Sequence, residues 1–288
     1  MESKIILITG STDGIGKITA KQLAKQGHTI ILHGRNQAKA EAMRQEIKAE
    51  TGNDKIDILI ADLLSMADIK RAVGDFKKRY DRLDVLINNA GAVFGKIRET
   101  TKDGLEKTMA LNVFAPMLLT QLLLDTLAKS PAARIVNVSS AAHSMGSKPN
   151  MNDIQLLKNY SFANAYGNSK LFAIWLTQHL AAELKARNIS NITVNSLHPG
   201  MIKTDFGQTI DKGFWGNLLF KVAVALFGIT PEKGAETTIY LTISPEVNNI
   251  SGKYFSNKKI VEPNAKYYTP ENEKLVWEYV QQVIKPYL

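Results

Sequence analysis

The sequence predicts an α/β fold: a doubly wound, seven-stranded, mainly parallel sheet with helices on both faces. Three observations predict it. Short aliphatic runs without polar alternation recur along the chain, as strands buried on both faces require. Longer stretches with apolar residues at helical spacing separate them. Glycine and polar residues cluster where each aliphatic run ends, the edge at which sheets of this kind hold ligands.

The first strand is Ile5-Ile6-Leu7-Ile8, and "TGSTDGIG", Thr9 to Gly16, follows it without a gap. Ile18, Ala20, Leu23 and Ala24 then recur at helical spacing with Lys17, Lys21 and Lys25 between them. Strand, glycine turn and helix in that order make an anion site, because free N–H groups at a helix start favour phosphate and glycine lets a pyrophosphate come close. A tight turn without a ligand is the other reading of this stretch. The alternation continues through "TIILH" 29–33, a helix in "NQAKAEAMRQEIKAE", "IDILI" 56–60, a helix in "MADIKRAVGDFKKRY" and "DVLIN" 84–88. Repeated βαβ units imply parallel strands with right-handed crossovers. A long helix near 102–128, "RIVNVS" 134–139, a helix near 165–187, "NITVNSLH" 191–198, a helix near 231–243 and "KYF" 253–255 complete a Rossmann arrangement. Residues 256–288 add about one more helix in "NEKLVWEYVQQVIK".

The chain of 288 residues, 44% hydrophobic, is long enough for a large core and has no linker, repeat or low-complexity tract. A single domain over 1–288 is expected, with a lid at about 205–229 and a C-terminal extension at about 256–288. Cysteine is absent, which excludes disulfides, thiol nucleophiles and Cys-ligated zinc. His28, His33, His143, His179 and His198 lack metal-ligand spacing and are read as ordinary structural or surface residues; no metal is expected. No G-x-S-x-G elbow of a serine hydrolase occurs. The net charge of +9 is carried by scattered lysines, which suits solubility better than nucleic-acid binding. The first strand begins at once, leaving no room for a signal peptide or N-terminal anchor, so a cytoplasmic protein is expected.

The strand exits carry Thr9–Gly16, Asp62-Leu63, "NNAG" 88–91, Ser139-Ser140 and His198-Pro199-Gly200, which together describe one long site. In "YGNSK", Tyr166 and Lys170 lie one helical turn apart. With nine tyrosines, about one Y-x-x-x-K is expected by chance, and a second copy does occur from Tyr254 to Lys258. That copy falls on a strand and loop, where the spacing does not bring side chains together. A phenol of pKa ~10 needs a nearby ammonium to act near neutrality, which Lys170 supplies, and a serine hydroxyl would fix the substrate oxygen beside it. Taken singly, Tyr166 also reads as a buried aromatic with a satisfied hydroxyl.

The chain resembles the short-chain dehydrogenase/reductase family as far as about Phe255. The resemblance rests on T-G-x-x-x-G-x-G at Thr9, Gly10, Gly14 and Gly16, N-N-A-G at Asn88 to Gly91, Asn112, Ser140, Tyr166 with Lys170, and P-G-x-x-x-T at Pro199, Gly200 and Thr204. "RIVNVSSAAH", "HPGMIKTDF", "TPEKGAETTIYL" and the insert between Ser140 and Tyr166 look most like its retinol-dehydrogenase-like branch, though many animal members carry an N-terminal anchor. The resemblance implies hydride transfer between a nicotinamide and a carbonyl or alcohol, with Asn112, Ser140, Tyr166 and Lys170 catalytic. Tyr166 would supply the proton, Lys170 would bind the nicotinamide ribose, Ser140 would hold the substrate oxygen and Asn112 would support a water-linked proton path. Gly10, Ser11, Thr12, Gly14, Ile15, Gly16, Asn89, Ala90, Gly91, Pro199 and Gly200 would line the dinucleotide. Asp62 and Leu63 would frame the adenine, and Ile202 and Thr204 the carboxamide. Spacing alone leaves Ser139 or Ser140 open as the catalytic serine; the family pattern points to the second. A dimer through the helices near 105–128 and 165–187 is also implied, although their apolar faces equally suit a core.

NAD-binding members place a carboxylate at the end of the second strand, where this chain has Gly34, Arg35 and Asn36, so NADP(H) is the expected cofactor. In 205–229, Phe214, Trp215, Leu218, Leu219, Val222 and Leu226 make a greasy face, read as a lid over a lipophilic aldehyde, ketone or alcohol. Core packing and a peripheral membrane contact are the other readings of that segment. The alternative function is a non-catalytic dinucleotide-binding redox sensor acting through a partner.

Overall fold

The computed structural model describes residues 3–200 and 228–288. Eight described strands form one sheet: β1 (Ile5–Ile8), β2 (Thr29–Gly34), β3 (Ile56–Ile60), β4 (Val85–Asn88), β5 (Ala133–Val138), β6 (Ile192–Leu197), β7 (Tyr254–Ser256) and β8 (Lys259–Ile260). Their order is β3-β2-β1-β4-β5-β6-β7-β8. The first seven, those the sequence predicts, pair in parallel, and β8 is a two-residue antiparallel return from β7. It follows a tight turn at Asn257 and Lys258, both at positive φ, as two-residue hairpin loops require.

The strand runs lack polar alternation because each feeds two cores. Leu7, Ile31, Leu86 and Ile135 point into one apolar cluster, and Ile6, Ile8, Ile30, Leu32, Val85, Ile87 and Val136 into the other. On the second face pack α1 (Gly14–Ala24), α2 (Gln37–Thr51) and α7 (Pro231–Ile243), through Ala20, Leu23, Met43, Ile47 and Leu241. On the first lie α3 (Met66–Arg79), α5 (Ala115–Ala128) and α6 (Phe162–Ala186). Phe172 and Trp175 of α6 are buried there with ring centroids 5.7 Å apart. Emptying either site by truncation to alanine costs about 3–5 kcal/mol.

The helix expected over 102–128 starts later and is not uniform. The buried Glu106 carboxylate caps α4 (Lys107–Met109) by accepting from the Thr108 and Met109 N–H groups at 2.9 and 2.7 Å. A π-helical turn, Ala110–Phe114, then leads into α5. Such turns are frequent at functional sites, and this one carries Asn112.

The C-terminal extension is part of the core. Helix α8 (Pro270–Ile284) buries Val276, Val280 and Ile284 in the cluster that holds α5 and α6. Gln155 donates to the Tyr279 hydroxyl at 2.7 Å, and His179 meets Glu273 at 3.0 Å. The apolar faces of α5 and α6 that the sequence leaves between core and dimer are thus covered from within the chain. Arg134, on β5, is buried with no carboxylate partner among the described residues and spends its guanidinium on the end of α7, donating to Leu241 O, Ser244 O and Asn248 Oδ1 at 2.9, 2.8 and 2.5 Å.

Candidate active site

The glycine turn follows β1, where the order of the parallel strands reverses between β1 and β4. The Thr9 hydroxyl accepts from the Asn89 and Ala90 N–H groups, both at 2.9 Å, and Asn89 Nδ2 donates back to Thr9 O at 2.8 Å. Gly10 has φ +62° with Ala90 3.1 Å from where a Cβ would stand. A Cβ on Gly16 would overlap the Gly10 carbonyl oxygen and lie 2.6 Å from Asn89 Nδ2. The turn is therefore a cradle of backbone at the start of α1, the geometry that accepts a pyrophosphate. Asp13 caps α1 from its rim and pairs with Lys39 at 2.8 Å, which holds its carboxyl below the usual range.

His33, at the end of β2, is a site residue the sequence reading passed over. Its Nδ1 accepts from the Gly10 N–H at 3.2 Å, and its backbone N–H donates to Ser11 Oγ at 2.9 Å. Burial pushes this imidazole down to about 4, so it stays neutral and keeps its lone pair for Gly10. The signal was its place, at the end of β2 two residues before Arg35. Thr12 packs against Gly34, whose Cβ would stand 2.9 Å from Thr12 Cγ2. Arg35 is exposed at this exit, and Asn36 caps α2 by accepting from the Lys39 N–H at 2.9 Å. Asp62 is exposed and accepts from the Leu64 N–H at 3.0 Å, while Leu63 is buried in the core.

Past β4 and β5 the edge is built from side chains. Asn112 clamps the chain after "NNAG": its Oδ1 accepts from the Ala92 N–H and its Nδ2 donates to Ala92 O, both at 3.1 Å, with Ser169 Oγ at 3.0 Å. Gly91 is required beneath it, since a Cβ there would lie 3.1 Å from both Asn112 Oδ1 and Lys170 Nζ. A cavity of about 20 Å³ bordered by Asn88, Asn112, Thr120, Asn137 and Lys170 has room for one water. Asn88 Oδ1 is buried there with no hydrogen-bond partner among the described residues.

The two serines separate cleanly. Ser139 is buried and donates to Lys170 O at 2.7 Å, which fixes β5 to α6. Ser140 accepts from the Ala142 N–H at 3.1 Å and hydrogen-bonds the Tyr166 phenol. Tyr166 is half-buried, with Lys170 Nζ 5.7 Å from its ring centre. The expected depression of Tyr166 by Lys170 is corrected: burial pushes the phenol up to about 12, against which the Ser140 hydrogen bond pulls only partly. Burial likewise brings Lys170 down to about 8, and its ammonium donates to Val138 O at 3.0 Å.

After β6, the Gly200 N–H donates to His198 Nδ1 at 3.2 Å, and Gly200 holds φ +92°. Ile202, Thr204 and the lid at 205–229, except its last two residues, lie outside the described residues. Tyr254 and Lys258 do not form a second site: Tyr254 is buried, whereas Lys258 is exposed and pairs with Glu236 at 3.0 Å.

The family model for short chain dehydrogenases matches residues 4–214. Polyprenol dehydrogenase of Homo sapiens is 39% identical over 279 residues, covering 95% of this chain and 83% of that protein. Retinol dehydrogenase 13 of Mus musculus is 35% identical over 278 residues, covering 95% and 81%. In three dimensions the chain matches the RhlG/NADP active-site complex of Pseudomonas aeruginosa with a TM-score of 0.69 at 27% identity, over 88% of this chain and 94% of that one. The fold and the site define a nicotinamide-dinucleotide oxidoreductase. The chain belongs to the short-chain dehydrogenase family, in its retinol-dehydrogenase-like branch.

The expectation of a cytoplasmic protein is corrected by these relatives. They are named for retinol and polyprenol, lipid alcohols that partition into membranes, and a first strand near residue 5 does not outweigh that. The helical stretch Lys107–Ala128 is long and apolar enough to cross a membrane, although 72% of its most apolar window is buried inside the fold.

Proposed function

We propose that the protein is an NADP(H)-dependent oxidoreductase that interconverts a lipophilic aldehyde or ketone with its alcohol. The observation that carries this reading is the meeting of Ser140, Tyr166 and Lys170 at one exit of the sheet edge whose neighbouring exit is a glycine cradle beside an exposed Arg35. The cradle fits a dinucleotide, because the space that Cβ atoms on Gly10 and Gly16 would fill is given over to close backbone approach. Gly10, Ser11, Thr12, Gly14, Ile15 and Gly16 would hold the pyrophosphate side, with Asn89, Ala90 and Gly91 along its floor. Asp62 and Leu63 would border the adenine, and Pro199, Gly200, Ile202 and Thr204 the nicotinamide end. Arg35, with Asn36 beside it, would take the 2′-phosphate, since a guanidinium fork suits a phosphate and no carboxylate follows β2.

When bound, the nicotinamide supplies the hydride for reduction and accepts it in oxidation. The side chains manage the proton. Ser140 donates to the carbonyl oxygen and fixes it beside the phenol. Tyr166, held protonated by burial, gives its proton to that oxygen as the C–H bond forms, and the product is the alcohol. Lys170 keeps positive charge next to the resulting phenolate, and the one-water cavity beside Lys170 and Asn112 offers a route for reprotonation. Asn112 holds this wall in place through Ala92. A lipophilic substrate is supported by Ile97, Met145 and Leu157, which stand 80%, 80% and 73% exposed on the loops after β4 and β5. The relatives' names point the same way.

The test is kcat/KM with NADPH and NADH over a series of n-alkanals of increasing length. A preference for NADPH is expected, with KM falling up to about fourfold per methylene until the pocket is full, as ~0.8 kcal/mol per buried CH₂ requires. Equal use of both cofactors would remove the role of Arg35. A flat chain-length profile would remove the lipophilic pocket.

A further inference from the structure

His143 stands three residues beyond Ser140 and reaches two parts of the chain at once. Its Nδ1 lies 2.9 Å from the Ser140 carbonyl oxygen, and its Nε2 lies 3.0 Å from the backbone nitrogen of Asn264. The second contact fixes the tautomer. A backbone N–H only donates, so Nε2 offers its lone pair and Nδ1 carries the proton that goes to Ser140 O. Burial lowers the pKa of His143, which keeps the ring neutral and this arrangement intact.

The imidazole is also held edgewise on Tyr254 of β7, with ring centroids 5.2 Å apart and the phenol oxygen 3.3 Å from Nδ1. Tyr254 in turn lies 5.8 Å from the His198 ring, whose Nδ1 accepts from the Gly200 N–H. One cluster of rings therefore ties together the exits of β5 and β6, strand β7 and the segment that follows β8. Ser140 hangs from it by its carbonyl while its hydroxyl faces Tyr166.

We propose that His143 is the positioning residue of Ser140, and that it sets that serine through the docking of the 261–269 segment at Asn264. The proposal rests on the oxidoreductase reading for its effect on turnover, but not for the contact itself. Docking of the segment fixes the tautomer, the tautomer donates to Ser140 O, and the hydroxyl is then aimed at the substrate oxygen. A chain segment far from the reacting atoms thereby completes the site.

Three variants separate the two ends of the ring. His143→Asn keeps a donor near the place of Nδ1, His143→Gln keeps an acceptor near the place of Nε2, and His143→Phe keeps neither. Steady-state kinetics with NADPH and a long n-alkanal should show kcat down about tenfold in His143→Phe and His143→Gln, with KM for NADPH within about twofold. His143→Asn should recover kcat to within about threefold of the wild type. Equal losses in the Asn and Phe variants, or no loss in any, would overturn the proposal.

Amide hydrogen exchange reads the same links without turnover. The Asn264 amide should exchange at least about tenfold faster in His143→Asn and His143→Phe and at the wild-type rate in His143→Gln. The Ala142 amide, bonded to Ser140 Oγ at 3.1 Å, should speed up in His143→Gln and His143→Phe only. Unchanged exchange at both amides would overturn the proposal even in an active enzyme. A wild type inactive on every carbonyl, with the exchange pattern as expected, would overturn the assigned reaction and leave the link from Asn264 to Ser140 standing.

Discussion

Around β1, β2 and β4 the ligand edge is shaped by what side chains leave out, and around β5 and α6 by what they put in. Gly10, Gly16, Gly34 and Gly91 each face a backbone or side-chain atom within 3.1 Å of where a Cβ would stand. Ser140, Tyr166, Lys170 and Asn112 instead bring hydroxyl, phenol, ammonium and amide groups to the neighbouring exits. In the proposed function the first region holds the phosphates of the dinucleotide and the second handles a proton. The difference teaches that binding and chemistry are separable here, and substitutions should divide along the same line.

Tyr166→Phe is the sharpest cut on the chemical side. It keeps the ring and removes the proton, so kcat should fall by about a thousandfold or more while NADPH binding, read by fluorescence titration, changes less than about twofold. Substantial remaining turnover would break the division and remove Tyr166 as the proton donor.

On the binding side, His33 gives the next largest effect. Unfolded, its imidazole takes a proton near pH 6.5; folded, only near 4. A depressed histidine costs nothing above the unfolded value, and stability is lost as pH falls from 6.5 toward 4, by about 3 kcal/mol at the lower end. Thermal unfolding over that range should show this slope in the wild type and a shallower one in His33→Asn. An equal slope in both would remove His33 from the account.

Arg35→Ala should raise the Kd for NADPH about ten- to a hundredfold and leave NADH within about twofold, measured by titration of each cofactor. Gly91→Ala tests the seam between the regions. Its methyl would press on Lys170 Nζ and Asn112 Oδ1, so kcat should drop about tenfold with a smaller change in cofactor affinity. The smallest effect belongs to the second Y-x-x-x-K copy. Lys258 is exposed in an ion pair with Glu236, and Lys258→Ala should leave kcat unchanged and stability within about 0.5 kcal/mol.

Much of this was legible in the chain. Parallel strands buried on both faces leave unbroken aliphatic runs, and β1 to β7 stand within a residue or so of those runs. The glycine cradle was legible because a forbidden Cβ leaves a fixed spacing. The chemical wall was harder to read, since tyrosine four before lysine also arises by chance, and only the helix under Tyr166 and Lys170 distinguishes the copies. What the sequence did not disclose depends on distant partners. The π-helical turn under Asn112 answers to Ala92, His33 to Gly10 and His143 to Asn264, and no local periodicity encodes such pairs. The same holds for α8, which the sequence marks as one more helix without saying what it covers.

The docking of α8 against α5 and α6 sets an order of events during synthesis. Roughly a hundred residues separate α6 from the stripe of α8, and about 150 separate α5 from it, so α5 and α6 leave the ribosome well before Val276, Val280 and Ile284 exist to cover them. At about 5–20 residues per second that interval lasts from about 5 to about 30 seconds, during which an apolar surface stands open to chaperones and to other nascent chains. The strands of the cradle are made early, while the surface that finishes this core arrives late. Solubility in the cell is therefore sensitive to how fast the last stretch is translated, and slow codons within 230–280 should lower the yield of folded enzyme without altering a single side chain.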